Sequence, residues 1–189
     1  MFLKASKKLA YCLAVCILLF PHLLYGGSQK NVYRASLRAI PQSLNIRQAT
    51  SNTEFYVAHQ IYHPLYSLNS TSKELESYFL DMKKSKAMDS TFSRFVHCLK
   101  NGVLFSDATP ITVDDLRLSL EQTHLMQNFP RAKTVEIVEG CVRVQLENPV
   151  IDYFHFLSRV GSTVLKGSTL KNPFPTGMGY YVPRQMAEI

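Results

Sequence analysis

The stretch FVHCLKNGVLFSDATPITVDDLRLSLEQ, residues 95–122, decides the fold. It opens with alternation: Phe95, His97 and Leu99 fall on one side of an extended chain, the pattern of a strand with one covered face. Asn101-Gly102 follows, a pair suited to the two positive-φ positions of a type I′ turn, so a first hairpin is expected with residues 103–105 as its return. Residues 106–110 read as a loop. Thr112 then stands where an N-cap belongs, with Asp114 in the first helical turn and Asp115 at the capping-box position. Carboxylates there are favoured by the helix dipole, so the acidic pair has a structural reading ahead of a metal or acid–base one. Leu116, Leu120 and Thr123 line one face of this helix, with Leu118 on its flank.

The pattern continues on both sides. Downstream, Val135 and Ile137 alternate, Glu139-Gly140 turns the chain, and Val142, Val144 and Leu146 alternate again, which predicts a second hairpin. Residues 150–160 read as a short amphipathic helix after Pro149. Upstream, residues 31–40 read as a strand. Ser51, three residues before Glu54, opens a helix that Pro64 stops. Phe55, Ala58, Ile61 and Tyr62 form its expected apolar face. Residues 67–91 are polar and mixed, with a short strand expected near 78–82. Gly177 and Gly179 read as a tight turn.

The chain has 189 residues, 46% apolar and 19% charged, enough to bury a core. Its net charge is +7, but the basic residues beyond Lys4, Lys7 and Lys8 are scattered among acids, which points away from nucleic acid. No acid occurs before Glu54. A basic start, an apolar run over residues 9–20, then Pro21, His22 and Gly26-Gly27 have the anatomy of a secretory signal. Cleavage after Gly26 or Gly27 and retention as an anchor both fit. Export leaves Cys98 and Cys141 as the cysteines of the mature chain. Both fall opposite the apolar rows of their strands, so they can bridge if those strands pair and remain free thiols if they do not. No Cys-x-x-Cys pair supports zinc. His59 and His63, four apart, lack a third ligand nearby, so no metal and no cofactor is expected.

Four segments, in order, resemble one family: the large solute-binding proteins of ABC importers, the group of periplasmic oligopeptide- and dipeptide-binding proteins. IPQSLNI (40–46) resembles its segment ending in Leu-Asp-Pro. HQIYHPLYSL (59–68) resembles its first helix exit. RFVHCLKNGVLFSDATPITVDDLRLSLEQ (94–122) resembles its strand, Asp-Gly-Thr-Pro loop and capped helix. PTGMGYY (175–181) resembles its Gly-Thr-Gly-Pro-Tyr loop. Asn45 and Ile46 replace the usual Asp-Pro, Tyr180 replaces a proline, and Ala108 replaces a glycine, so that turn is expected in a conformation alanine tolerates.

The resemblance implies an α+β fold, the first lobe of a two-lobe periplasmic-binding-protein architecture, with mixed sheet, hairpins and packed helices and the second lobe missing. It implies a signal peptide over 1–27, the start of lobe I over 28–70, a subdomain with two hairpins and helices over 71–163, and a truncated return to lobe I over 164–189. The implied function is transport, not catalysis: an extracytoplasmic solute-binding component that binds a peptide or other small solute and delivers it to an ABC permease in the inner membrane. By alignment, Thr50, Ser51 and Asn52 are the implied ligand contacts, at a helix N-terminus where free amides can receive a carboxylate or carbonyl. The same residues also suit plain helix capping. The alternative function is a nonfunctional remnant, or an envelope interaction protein that keeps only the first-lobe fold.

Overall fold

A two-residue turn and a disulfide organise the sheet. The computed structural model describes residue 41 and residues 43–179; the signal segment, the strand expected over 31–40 and Tyr180 lie outside the described residues. Helix α1 (Asn52–Ile61) opens with a full capping box, Ser51 accepting from the Glu54 amide and Glu54 from the Ser51 amide. It ends where Tyr62 turns extended, two residues before Pro64. Its buried residues are Glu54, Ala58 and Ile61. Phe55, expected on that face, is 37% exposed: the buried stripe runs one position earlier, through Glu54.

Strands β1 (Ser67–Leu68) and β2 (Leu75–Glu76) form a small antiparallel pair. The strand expected near 78–82 is absent, and only a single bridge joins Leu80 to Leu99. The Ser77 hydroxyl explains this. It accepts from the amides of Phe79 and Leu80 and donates to Leu65 O, turning the chain at residues 77–80 and leaving only two ladder bonds, Asp81 N to Cys98 O and Lys100 N to Phe79 O.

The main sheet is antiparallel, in the order β3-β4-β6-β5, with β3 at Lys86–Ala87, β4 at Arg94–His97, β5 at Ala132–Val138 and β6 at Cys141–Leu146. Glu139 and Gly140 both have positive φ, +52° and +77°, so the β5–β6 connection is the primed turn that matches strand twist. At Asn101-Gly102 only Gly102 is positive, at +73°. That turn does not make the expected hairpin. Residues 103–105 instead fold back on the next few residues, with Ile111 N bonded to Val103 O and a bridge between Leu104 and Pro110. Three residues are too few to compete with β6, whose Val142, Val144 and Leu146 are all buried. So β4 pairs with β6, in the register Phe95 to Val144 and His97 to Val142. One step further along, Cys98 and Cys141 stand opposite each other and are joined, with Sγ atoms 2.10 Å and Cα atoms 4.4 Å apart.

Helix α2 (Val113–Leu125) lies against this sheet, its N-terminus closed by the Thr112–Asp115 capping box. Leu116, Leu120 and Thr123 are buried, as their spacing predicts. Helix α3 (Tyr153–Phe156) is a single turn that places Tyr153 in the core. The main core joins Phe79, Phe95, Leu116, Leu120, Val144 and Tyr153. A second cluster joins Ile46, Ala58, Ile61 and Tyr62 to Val160 and Leu165, so the chain after α3 returns to α1. No helix among the described residues is long and apolar enough to cross a membrane.

Ala108 lies in the left-handed region, at φ +64°, although it lacks the freedom of the glycine it replaces. The expectation of a tolerated conformation is overturned by the loop's hydrogen bonds. Phe105 N bonds to Thr109 O and Ala108 N to Phe105 O. The Asp107 carboxylate accepts from the Thr109 amide and hydroxyl and from Lys166. The Thr109 and Lys166 bonds hold the Asp107 pKa down to about 2 and fix the loop around residue 108.

Two outcomes follow. Ala108→Gly should raise stability by about 0.5–1 kcal/mol, because left-handed strain at alanine exceeds the added chain entropy of glycine; a urea midpoint that falls would contradict this. The disulfide closes a sequence separation of 43 residues. Chain entropy assigns such a loop about 4 kcal/mol, so the Cys98→Ala, Cys141→Ala double variant should lose roughly 2–4 kcal/mol. Thiol titration of denatured, unreduced protein should find neither cysteine free.

Candidate ligand-binding site

Thr50, Ser51 and Asn52 sit together at the N-terminus of α1, and all three are exposed. The loop before them is held from inside. Asn45, 1% exposed, donates through Nδ2 to Leu170 O and Asn172 O and accepts from Arg47 N through Oδ1. An aspartate, the usual residue in the resembled family, could not make those two donations. Arg47 reaches across to α2 and to the turn at Val160–Ser162. Its Nη2 donates to Ser119 O and Thr163 O, at 3.0 and 3.2 Å, and burial lowers its pKa to about 10.

The α1 N-terminus already carries a carboxylate of its own. Glu54, 5% exposed, turns its carboxylate back onto the amides of Thr50 and Ser51, at 2.8 and 3.0 Å. Those backbone bonds hold its pKa down to about 2. An incoming carboxylate would therefore meet a resident one. The Ser51 hydroxyl accepts from the Glu54 amide and its carbonyl from the Phe55 amide, so what the three residues keep for a ligand is chiefly the exposed Asn52 and the side chain of Thr50. The capping-box spacing was the sequence signal for this, since a glutamate in that position reaches back to the cap by its nature. Asn45 and Arg47 had no such signal, because their partners lie more than 70 residues away.

A concavity lies at the far end of α1, about 15 Å from its N-terminus by helix rise. It has a volume of about 280 Å³ and is lined by His63, Tyr78, Leu104, Phe105, Met178 and Gly179, among others. The His63 and Tyr78 rings stack at 6.0 Å. His63 stands beyond the last residue of α1, so it does not share a helical face with His59. Residues 175–178 form neither helix nor strand, and the chain bends at Gly179. Gly179 is needed for close approach: a Cβ there would overlap the Ile61 carbonyl oxygen, and His63 N bonds to Met178 O across the same contact. The structure thus does not bring this cleft together with Thr50, Ser51 and Asn52.

Among the described residues, no group of three or more His, Cys, Asp or Glu side chains could hold a metal ion. The acidic pair of α2 is engaged structurally. Asp114 pairs with Arg117, and Asp115 bonds to the Thr112 and Gly167 amides.

The sequence matches no known protein family and no curated protein. Solved structures do match, and they share the fold of the peptide- and solute-binding proteins of ABC importers. A dipeptide-binding protein from Pseudoalteromonas sp. SM9913, in complex with Met-Leu, superposes with a TM-score of 0.62 at 18% identity, over 79% of this chain and 36% of that one. The periplasmic binding protein DppA from Helicobacter pylori, in complex with the peptide STSA, gives 0.61 at 13%, over 79% and 36%. A nickel ABC transporter from Bacillus halodurans gives 0.65 at 11%, over 79% and 31%. The chain thus spans about a third of the length of the structures it matches, and its mixed helix and sheet correspond to one lobe.

The geometry of the α1 N-terminus sets a pH test. The folded pKa of Glu54 lies below its unfolded value, so its stabilisation is present at neutral pH and lost on acidification. The stability gap between wild type and Glu54→Gln should be constant above about pH 5 and close as pH falls towards about 2. Ser51→Ala should cost about 1 kcal/mol at any pH. A gap that does not change with pH would show that the carboxylate is not held as described.

Proposed function

We propose that the chain is a solute-binding component of an ABC importer, acting outside the cytoplasm, and that its ligand is a peptide. The observation that carries this reading is the shared fold with structures that hold Met-Leu and STSA. Binding of this kind needs no nucleophile, metal or cofactor. It needs a rigid lobe that presents polar groups to an extended main chain. On this reading Thr50, Ser51 and Asn52 contribute side-chain and carbonyl contacts, and the lobe is exported by its N-terminal signal to the periplasm or cell envelope. An ABC permease of the inner membrane is the partner that receives the solute; nucleic acid is not a partner.

The test is thermal unfolding of the full chain with defined di- to pentapeptides, alongside free amino acids and nickel. A ligand at a hundred times its Kd adds about 2.7 kcal/mol, a shift of several degrees in Tm. Peptides should raise Tm, and Asn52→Ala and Thr50→Val should shrink that shift without lowering the Tm of the free protein by more than about 2 °C. A well-folded protein that responds to no solute would count for the other reading, an envelope interaction protein with a first-lobe fold. Intact mass of the protein recovered from the cell envelope identifies the ends of the mature chain.

A further inference from the structure

Two histidines lie inside the molecule. His97, on β4, is 0% exposed, and His124, in the last turn of α2, is 3% exposed. His124 Nδ1 lies 2.6 Å from Pro130 O, a group that only accepts, so the proton of the neutral ring sits on Nδ1. Nε2 is then the acceptor for the Tyr153 hydroxyl, 2.9 Å away. Tyr153 stacks on His124 with centroids 5.7 Å apart and touches His97 at 5.9 Å on its other side. His97 Nδ1 meets the Tyr66 hydroxyl at 2.8 Å, while its Nε2 has no hydrogen-bond partner. Four polar rings in series therefore tie together α2, α3, β4 and the segment after α1.

The surroundings of these rings decide their chemistry. His97 faces Tyr66 from the segment after α1, His124 from α2, Tyr153 and Phe154 from α3 and Val142 from β6. Ser85, just before β3, closes the same region through the Cys98 amide. No carboxylate among the described residues bonds to either imidazole. On its outer side His124 borders a cleft of about 420 Å³ between α2 and β5, whose charged groups are Glu121, Arg131, Lys133 and Glu147.

We propose that this series of rings is an acid-sensitive latch: its neutral form holds α2 and α3 on the sheet, and protonation, at His124 through the α2–β5 cleft and then at His97, releases them. Protonated His124 keeps both bonds, donating to Pro130 O and to the Tyr153 oxygen, but puts a positive charge beside Tyr153 and His97. Protonated His97 has no acceptor for its second N–H and no counter-charge. Burial accordingly lowers the His97 pKa to about 3 and lowers that of His124. The sign follows. An unfolded histidine takes up its proton near pH 6.5 and the folded ones do not, so stability falls as pH drops below about 6.5.

The test is urea unfolding of the full chain from pH 7.5 to 5.5, above the range where carboxylates titrate. A histidine kept neutral in the fold makes the unfolding constant rise by about tenfold between pH 7.5 and 5.5, so the wild type, with two, should rise about a hundredfold over that range, and His97→Phe or His124→Asn about tenfold. If a variant does not fold, the ring proton resonances of the wild type give the same answer: two histidines should show no titration until the protein unfolds. Hydrogen exchange, corrected for intrinsic rate, should show residues 153–157 and the last turn of α2 losing protection on acidification before β5 and β6. PH-independent stability, histidines that all titrate near pH 6.5 in the folded protein, or a uniform loss of protection would each overturn the latch.

Discussion

The pairing of β4 with β6 is the constraint on which the rest depends. It joins Phe95 to Val144 and His97 to Val142, residues separated by more than 40 positions, and the bond between Cys98 and Cys141 closes its end. Once β4 lies beside β6, the β5–β6 hairpin adds the outer strand, β3 covers the other edge of β4, and α2 has a continuous apolar surface to rest on. Without that pairing the Asn101-Gly102 turn would have only residues 103–105 with which to build a hairpin, too few to bury Phe95. The long connection between β4 and β6 is therefore a structural unit. It leaves the sheet, forms the 105–109 loop and α2, and comes back through a hairpin.

A second set of contacts connects that sheet to α1. Arg47 and Asn45 bond to carbonyl groups of α2 and of the chain after α3, and Tyr62, Val160 and Leu165 share an apolar cluster. These are side chain to main chain bonds over long separations, and they hold the loop that leads into Thr50, Ser51 and Asn52. The loop's polarity is thus spent largely inward. Glu54 completes this by occupying two amides at the helix start, while Ser51 gives its hydroxyl to the Glu54 amide and its carbonyl to the Phe55 amide.

The interior is unusually polar for a small sheet-and-helix core. Tyr66, His97, His124 and Tyr153 are each within the main packing, and their hydroxyl and imidazole groups bond chiefly to one another. Each such bond is directional, so these rings specify how α2 and α3 seat on the sheet more narrowly than leucine or valine would. The cost is sensitivity to protonation, because an imidazolium in that position has no acid to pair with.

Local sequence determined what local physics controls. The capping boxes at Ser51 and Thr112, the buried row Leu116, Leu120 and Thr123, and the Glu139-Gly140 hairpin were all legible, because each rests on residues within a few positions of one another. The order of motifs likewise pointed to one lobe of a solute-binding fold before any coordinates. Tertiary structure decided the remainder. Asn101-Gly102 is the stronger hairpin signal and Glu139-Gly140 the weaker, yet the weaker one makes the hairpin, because residues 103–105 lose to β6 in the competition for the side of β4. Ala108 is left-handed because Asp107, Thr109 and Lys166 hold the loop around it. Phe55 is exposed because the buried stripe of α1 is set by what packs on it. The outward character of Thr50, Ser51 and Asn52 was decided the same way, by where the carboxylate of Glu54 and the guanidinium of Arg47 come to rest, and those positions depend on contacts that no short window of sequence contains.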